Sequence, residues 1–291
     1  MEKFVLIDAN ALLHRAFHAL PPLTTKAGQP TGALYGFLLT LLKVIKELQP
    51  RYIAACFDTK EKTFRHEQLV EYKANRPVTN PALVSQIPLT KYILKSFNIP
   101  IFEKEGYEAD DLIATICKQC EKNQQVEIYI LTGDFDNLQL VNERVKVYIL
   151  SRGIKEAVIY DINKVKEKFK VDPSQIIDLK ALTGDVSDNI PGVKGIGEKT
   201  ASQIIQVYGS LENLYQELAT DTAVLKKKIK KLLKENKEKV FLARNLIKMR
   251  NDVPIDFNLK DCQFGGFKKE EIEEKFRQLE FNSLLNRIPF L

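Results

Sequence analysis

The chain has 291 residues, of which 44% are hydrophobic and 28% charged, with a formal net charge of +6 and four cysteines. This composition is typical of a soluble globular protein, and the length allows one large α/β domain or a domain with an appendage. No run of about 18 apolar residues is present, and the N-terminus reaches Asp8 without a long apolar segment. We therefore expect a cytoplasmic protein with no membrane partner.

Apolar runs that end in acids recur along the first part of the chain. Residues 4–7 predict a buried parallel strand ending at Asp8, and residues 52–57 predict another ending at Asp58. A loop over residues 20–25 and a helix over residues 32–48 lie between them. The order strand, helix, strand predicts a βαβ unit.

Residues 60–81 are basic and carry aromatic side chains, without a convincing core periodicity. They predict an excursion from the sheet that is partly helical. A helix follows over residues 82–97, interrupted or restarted by Pro88, and a short strand over residues 99–102.

Three carboxylates then fall within four residues, at Glu108, Asp110 and Asp111, where a helix over residues 108–119 begins. Acids are common in the first turn of a helix, because free N–H groups and the helix dipole attract negative charge. The alternative is one wall of a divalent-metal site. A strand over residues 128–131 leads to Asp134 and Asp136, and residues 145–149 predict a further strand.

The carboxyl ends of parallel strands lie at one edge of a sheet, where open α/β sheets bind their ligands. Asp8, Asp58 and Asp134 should therefore converge there with the helix start at Glu108. A strand-ending turn explains one such acid, but several would repel one another unless a cation offset their charge. Mg²⁺ or Mn²⁺ is the natural partner of a ligand set made only of oxygens.

The second half is mostly helical. A helix capped by Asp172 runs to residue 182 and is followed by two more acids, Asp185 and Asp188. Glycines at 192, 195 and 197 predict a tight corner before the next helix, and residues 264–267 precede a final helix over 270–285. Such a corner can present backbone N–H groups to a phosphate, or be a plain connection between helices.

Positive charge is concentrated in residues 226–250, which hold eleven Lys or Arg and only two acids, so this segment alone is +9. The apolar pattern from Leu225 to Phe241 places these lysines on the outside of packed helices. A solvated surface often has this pattern, but charge on one face also suits contact with phosphates.

Cys117 and Cys120 form a C-x-x-C pair, which raises the alternatives of zinc binding or redox chemistry. No second ligand pair has suitable spacing, and the two thiols share a predicted helix, so we interpret them as structural. His14 and His18 lack the intervening helical Glu of zinc proteases.

Taken together, these motifs resemble the 5′→3′ exonuclease, or 5′ nuclease, domain at the N-terminus of bacterial DNA polymerase I. That domain is related to phage 5′ nucleases and eukaryotic flap endonucleases. The resemblance runs over nearly the whole chain, through residues 6–8, 64–67, 72–77, 106–111, 132–136, 183–201 and 279–285.

The resemblance implies an α/β, PIN-like fold with a mostly parallel central sheet and helices on both faces. It implies a nuclease core over residues 1–182, with a helical arch at about 60–97. A helical DNA-binding subdomain over 183–291 would carry a helix–hairpin–helix-like motif at about 189–208.

The resemblance also implies the site residues and cofactors. Two Mg²⁺ or Mn²⁺ ions would be held by nine acids: Asp8, Asp58, Glu108, Asp110, Asp111, Asp134, Asp136, Asp185 and Asp188. Lys73, Arg76 and Asp111 would be catalytic. DNA would be bound by Arg65, Tyr72, Lys73, Arg76, Gly192, Lys194, Gly195, Gly197, Lys199 and Thr200, with K⁺ at the hairpin motif. One departure is Phe135, which stands where the family usually has lysine.

The activity implied is 5′→3′ exonucleolytic and 5′-flap endonucleolytic cleavage of DNA in primer removal and repair. The partners would be 5′ DNA ends, flaps, RNA–DNA primer junctions and a fused or separate polymerase, with the chain itself monomeric. Two alternatives stay open: a DNA-structure binding protein with weak catalysis, and a nuclease directed at RNA.

Overall fold

A six-stranded sheet forms the centre of the molecule, in the strand order β3-β2-β1-β4-β5-β6. The computed structural model describes residues 1–150 and 157–288. The strands are β1 (Glu2–Asp8), β2 (Tyr52–Cys56), β3 (Ile101–Phe102), β4 (Val126–Thr132), β5 (Val145–Leu150) and β6 (Ala157–Tyr160). Strands β1 to β5 are parallel and β6 runs antiparallel to β5, so the predicted mostly parallel sheet is confirmed.

Helices cover both faces of the sheet, because successive side chains of β1 alternate between two apolar cores. Val5 and Ile7 face one core, and Phe4 and Leu6 face the other. The first core is covered by α1 (Ala9–Ala19), α2 (Gly32–Leu48), α4 (Pro81–Val84) and α5 (Gln86–Ser96), together with α13 (Lys269–Gln278) and α14 (Asn282–Leu285). The short helix α3 (Phe64–Gln68) lies between β2 and α4, and α6 (Ala109–Cys120) packs on the second core.

The second core continues into the helical part of the chain. Its elements are α7 (Ile162–Phe169), α8 (Ile176–Thr183), β7 (Gly184–Asp185), β8 (Ile190–Pro191), α9 (Glu198–Tyr208), α10 (Leu211–Ala219), α11 (Lys227–Glu235) and α12 (Lys237–Ile247). Short 3-10 helices lie at Asp136–Leu140, Pro173–Gln175 and Leu259–Cys262. β7 and β8 form a two-stranded antiparallel hairpin.

The structure differs from the sequence analysis at four elements. Helix α1 and strand β6 were not anticipated. The helix expected over 82–97 breaks at Ser85, while Pro88 lies in the first turn of α5, where a missing N–H costs no hydrogen bond. The final helix expected over 270–285 is two helices, interrupted where Glu280 adopts a φ of 59°.

All four cysteines are free and buried, which agrees with the structural interpretation of Cys117 and Cys120. Among the helices of the described residues, none is long and apolar enough to cross a membrane.

Candidate active site

The carboxyl ends of β1, β2 and β4 meet at one edge of the sheet, where a cavity of about 550 Å³ opens. Five of the acids expected at a metal site line this cavity: Asp8, Asp58, Glu108, Asp110 and Asp134. Strand ends and the start of α6 thus bring together acids that are distant in sequence.

Asp8 is the most enclosed of these acids on the strand ends, with 5% of the residue exposed. It caps α1 by accepting a hydrogen bond from the backbone N of Ala11 at 3.1 Å, and it accepts a second from the Thr132 hydroxyl at 2.6 Å. Burial nevertheless raises the pKa of Asp8 to about 7, and the nearby charges of Asp58 and Asp134 add to this effect.

Asp110 lies at the start of α6 and accepts a hydrogen bond from the Asn137 side chain at 2.7 Å. Burial raises its pKa well above the ordinary value, and the charges of Asp8 and Asp134 raise it further. Asp58 accepts a hydrogen bond from the backbone N of Ala109 at 2.7 Å, which holds the end of β2 against the start of α6.

These acids have the chemistry of a divalent-cation site. Within residues 1–150 and 157–288, no lysine or arginine forms an ion pair with Asp8, Asp58, Asp110 or Asp134. Carboxylates at low dielectric repel each other, and hard divalent cations prefer ligand sets made of oxygens. The oxygen donors therefore suit such an ion in type, although no group of three Asp, Glu, His or Cys side chains within residues 1–150 and 157–288 is placed closely enough to hold one.

Glu108 is different, because it already has a cationic partner. It accepts hydrogen bonds from Lys73 Nζ at 2.7 Å and from the Tyr72 hydroxyl at 3.1 Å. Asp188, which follows β7, accepts from Arg76 at 2.5 Å and from the same Tyr72 hydroxyl at 2.9 Å. Lys73 and Arg76 therefore lie beside the cavity, as expected, each paired with an acid.

Asp111 does not lie in the cavity, which corrects its predicted role as a metal ligand and catalytic residue. It is fully buried, and both its oxygens accept hydrogen bonds from Arg65, at 2.7 and 2.8 Å. Backbone N–H groups of Glu108 and Arg250 add two more hydrogen bonds, at 3.1 and 2.8 Å. With four donors around it, Asp111 positions the helix start and has no oxygen facing the cavity.

Arg65 and Tyr72 are likewise not surface contacts for DNA, since each is only 3% exposed. Besides Asp111, Arg65 donates through Nε to the backbone carbonyl of Leu246 at 2.7 Å. The Tyr72 hydroxyl is hydrogen-bonded to the carboxylates of Glu108 and Asp188. Both residues hold the segment after β2 in place, and neither is available to a nucleic acid in this conformation.

Lys180 is a site residue that the sequence analysis missed. It extends from α8 and donates from Nζ to Asp185 at 2.6 Å and also to Asp136. Burial raises the pKa of Asp136 to about 7, and repulsion from Asp134 contributes, while Lys180 opposes this rise. A lysine within a helix resembles a surface residue, so only the tertiary structure identifies it.

The opposite wall of the cavity includes the unanticipated helix α1. His14, Arg15, Phe17 and His18 all line it. Burial lowers the pKa of His14, and the positive charges of His18 and Arg76 act in the same direction. An Asp followed by a run of Ala and Leu is a helix-start signal that could have identified α1.

The glycine corner has two kinds of glycine. At Gly192 a Cβ atom would lie 2.2 Å from the carbonyl carbon of Thr183, so this glycine is required by packing against the start of β7. Gly195 has a φ of +97°, which favours glycine, and Gly197 caps the N-terminus of α9. Lys194 and Lys199 are exposed beside them and Thr200 is half-buried. Their predicted contacts with DNA remain predictions.

Phe135 is 38% exposed between Asp134 and Asp136. Its ring packs edge-on against Tyr160 and Phe169, with centroid distances of 5.8 and 6.4 Å. The Nζ atom of Lys168 lies 4.8 Å from the Phe135 ring centroid, so a cation-π contact brings positive charge next to this position.

Two family models match the chain consecutively. Residues 3–170 match the 5′-3′ exonuclease, N-terminal resolvase-like domain, and residues 171–270 match the 5′-3′ exonuclease, C-terminal SAM fold. The models meet upstream of the division expected after residue 182, and that division remains a prediction.

Curated relatives match nearly the whole chain. DNA polymerase I of Caldicellulosiruptor bescii is 43% identical over 288 residues, which cover 98% of this chain and 33% of the relative. DNA polymerase I of Bacillus subtilis is 39% identical over 287 residues, covering 99% of this chain and 32% of the relative. The chain therefore spans about a third of the length of these relatives.

Solved structures share the fold. The T5 D15 protein co-crystallized with metal ions aligns with a TM-score of 0.69 at 23% identity, covering 96% of this chain and 99% of that one. The catalytic core of Rad2 in complex with a DNA substrate aligns with a TM-score of 0.65 at 17% identity, covering 99% and 93% of the two chains.

Proposed function

This chain belongs to the 5′-3′ exonuclease family, and on that premise we propose that it hydrolyses DNA phosphodiester bonds with the help of bound divalent cations. Its substrates are free 5′ ends, 5′ flaps and the RNA–DNA junctions left by primers. The observation that supports this best is the cavity at the sheet edge, where acids without a cationic partner among the described residues form one wall and Lys73 and Arg76 lie beside them.

Asp8, Asp58, Asp110 and Asp134 would hold the first ion, which we take to be Mg²⁺ or Mn²⁺. Bound there, such an ion would lower the pKa of a water molecule and polarise a phosphate oxygen. Thr132 and Asn137 orient two of these carboxylates through the hydrogen bonds at 2.6 and 2.7 Å. The acids left for a second ion are Asp136, Asp185 and Asp188. Each of them already forms a salt bridge with Lys180 or Arg76.

Lys73 and Arg76 position the scissile phosphate and stabilise the negative charge that develops on it. In this conformation they pair with Glu108 and Asp188, so a phosphate takes the place of a carboxylate as their partner. The exchange costs little at Arg76, whose side chain is 48% exposed.

The duplex is held by sequence-independent contacts. The exposed lysines of α11 and α12 and those at 194 and 199 offer charge to the phosphate backbone, with backbone N–H groups at the Gly195–Gly197 corner and a K⁺ ion there. Arg244 is excluded from this set, because it pairs with Asp178 at 2.6 Å. We further propose that the chain acts as a monomer in the cytoplasm, beside a polymerase.

The test is cleavage of a labelled 5′-flap DNA in Mg²⁺ by the wild type, by Asp134→Asn and by Asp256→Asn. Asp256 is exposed and outside the cavity, so it is a matched control. We expect Asp134→Asn to lose about a hundredfold or more of the rate and the control to keep it. Equal rates for wild type and Asp134→Asn would sink the proposal.

A matched RNA flap forms a second arm of this experiment. Faster cleavage of RNA than of DNA would favour the RNA-directed alternative. Tight flap binding without cleavage in either Mg²⁺ or Mn²⁺ would favour a binding protein.

A further inference from the structure

Lys180 occupies an unusual position, because one ammonium group bridges two carboxylates at the active-site edge. Its Nζ atom lies 2.6 Å from Asp185 and also pairs with Asp136. The side chains are largely enclosed, with exposures of 23% for Lys180, 17% for Asp136 and 8% for Asp185. In a partly desolvated pair, charge attraction is screened much less than at the surface.

The two acids are also fixed from their other sides. The remaining oxygen of Asp185 accepts hydrogen bonds from the backbone N and hydroxyl of Ser187, at 2.8 and 2.6 Å. The backbone N of Asp136 donates to Asp134 at 2.9 Å, which ties Asp136 to the acids of the first ion. The ammonium group is therefore the mobile member of the bridge, at the end of a flexible side chain.

We propose that Lys180 is a built-in counter-cation at the position expected for the second divalent ion. The inference rests on the proposed function. A divalent ion can bind Asp136 and Asp185 only after the Lys180 ammonium group leaves both carboxylates. The ion and the ammonium group are both positive and repel each other, and both need the same carboxylate oxygens. This chain therefore binds one divalent ion tightly and a second one weakly.

A purely structural role for Lys180, tying α8 to the 3-10 helix at Asp136–Leu140, makes a different prediction. Lys146 offers the comparison, since it pairs with the largely buried Glu127 at 2.5 Å near the opposite end of β4. Loss of Lys146 costs a salt bridge and should not alter metal binding. Loss of Lys180 costs two such contacts and should expose a metal site.

The experiment is a Mn²⁺ titration followed by electron paramagnetic resonance, which measures unbound Mn²⁺, on wild type, Lys180→Gln, Lys180→Arg and Lys146→Gln. Glutamine keeps hydrogen-bond donors while removing the charge, and arginine keeps the charge. We expect Lys180→Gln to bind the second ion roughly tenfold more tightly than wild type. Lys180→Arg and Lys146→Gln should match wild type.

Thermal melts in EDTA and in Mn²⁺ supply an independent readout. Lys180→Gln should melt below wild type in EDTA and gain more from Mn²⁺ than Lys146→Gln does. Equal stoichiometry and affinity for wild type and Lys180→Gln would overturn the counter-cation role and leave the proposed function standing. A wild type that binds no Mn²⁺ would instead defeat the proposed function.

Discussion

The acids Asp8, Asp110 and Asp134 at the sheet edge and the acids around the β7–β8 hairpin share one chemistry but have different surroundings. Asp8, Asp110 and Asp134 have no lysine or arginine partner among the described residues, and burial raises the pKa of the first two. By contrast, Asp185 forms a salt bridge with Lys180, and Asp188 forms one with Arg76. The comparison shows that residue type alone does not decide whether a carboxylate is paired with a cation of the protein. The local cation decides whether a carboxylate is compensated by the protein itself or needs an ion.

Removing a built-in cation should have the largest effect on stability. Arg65→Met leaves Asp111 buried without its charge partner, so we expect the free energy of unfolding to fall by about 3–5 kcal/mol. Urea denaturation measures this. The double variant Arg65→Met with Asp111→Leu removes both charges and should recover part of the loss; the remainder reflects the backbone N–H groups of Glu108 and Arg250, which lose their acceptor. A double variant no more stable than Arg65→Met would mean that the hydrogen bonds of this group, not its charge balance, stabilise the fold.

The acids without a cation should make the metal-free protein less stable as the pH rises. Asp8 has a pKa of about 7 in the folded chain against an ordinary 3.8, so the folded state holds its proton more firmly than the unfolded state. The associated stability is full below about pH 4 and is lost as the pH rises through 7. The loss is on the order of 4 kcal/mol.

Denaturation in EDTA across this pH range, for wild type and Asp8→Asn, isolates the effect. Asparagine still caps α1, so the difference between the two proteins reports the charge. If wild type and Asp8→Asn showed the same dependence of stability on pH, the folded protein would not be holding a proton on Asp8. Mn²⁺ should flatten the wild-type profile.

The smallest effect on stability is expected at Arg76. The Arg76 side chain is 48% exposed, so water screens its pair with Asp188 and Arg76→Met should change the free energy of unfolding by less than about 1 kcal/mol. Flap cleavage should nevertheless slow by about a hundredfold if Arg76 acts on the phosphate. Paired denaturation and single-turnover rates check both. A large stability loss with an unchanged rate would make Arg76 a structural residue like Arg65.

Much of this site is predictable because the ends of buried strands can be located in the sequence. An apolar run followed by an acid places Asp8 and Asp58 at the sheet edge, whatever the order of the strands. Asp110 and Asp111 show the limit of the approach. They are neighbours in sequence, but a helix turns by about 100° per residue, so one faces the cavity and the other faces Arg65. The Glu108–Asp111 spacing of a capping box was the available signal.

Other features depend on contacts that no local pattern contains. Lys180 lies among Leu179, Ala181 and Leu182, in a helix whose sequence does not reveal that Asp136 lies opposite. Strand β6 has four half-buried residues at the sheet edge and depends on pairing with β5. The family resemblance supplied the set of acids, and the structure divides that set by role.

The contacts of Arg65 join three distant parts of the chain. Its guanidinium group binds Asp111 on α6 and the Leu246 carbonyl at the end of α12, and the backbone N of Arg250 closes the group by donating to Asp111. These contacts tie the start of α6 to the end of α12, so we expect the first 170 residues and the helical part that follows to unfold together. A fragment ending at residue 170, where the first family model ends, would lack the 246–250 segment and leave Arg65 and Asp111 open to water.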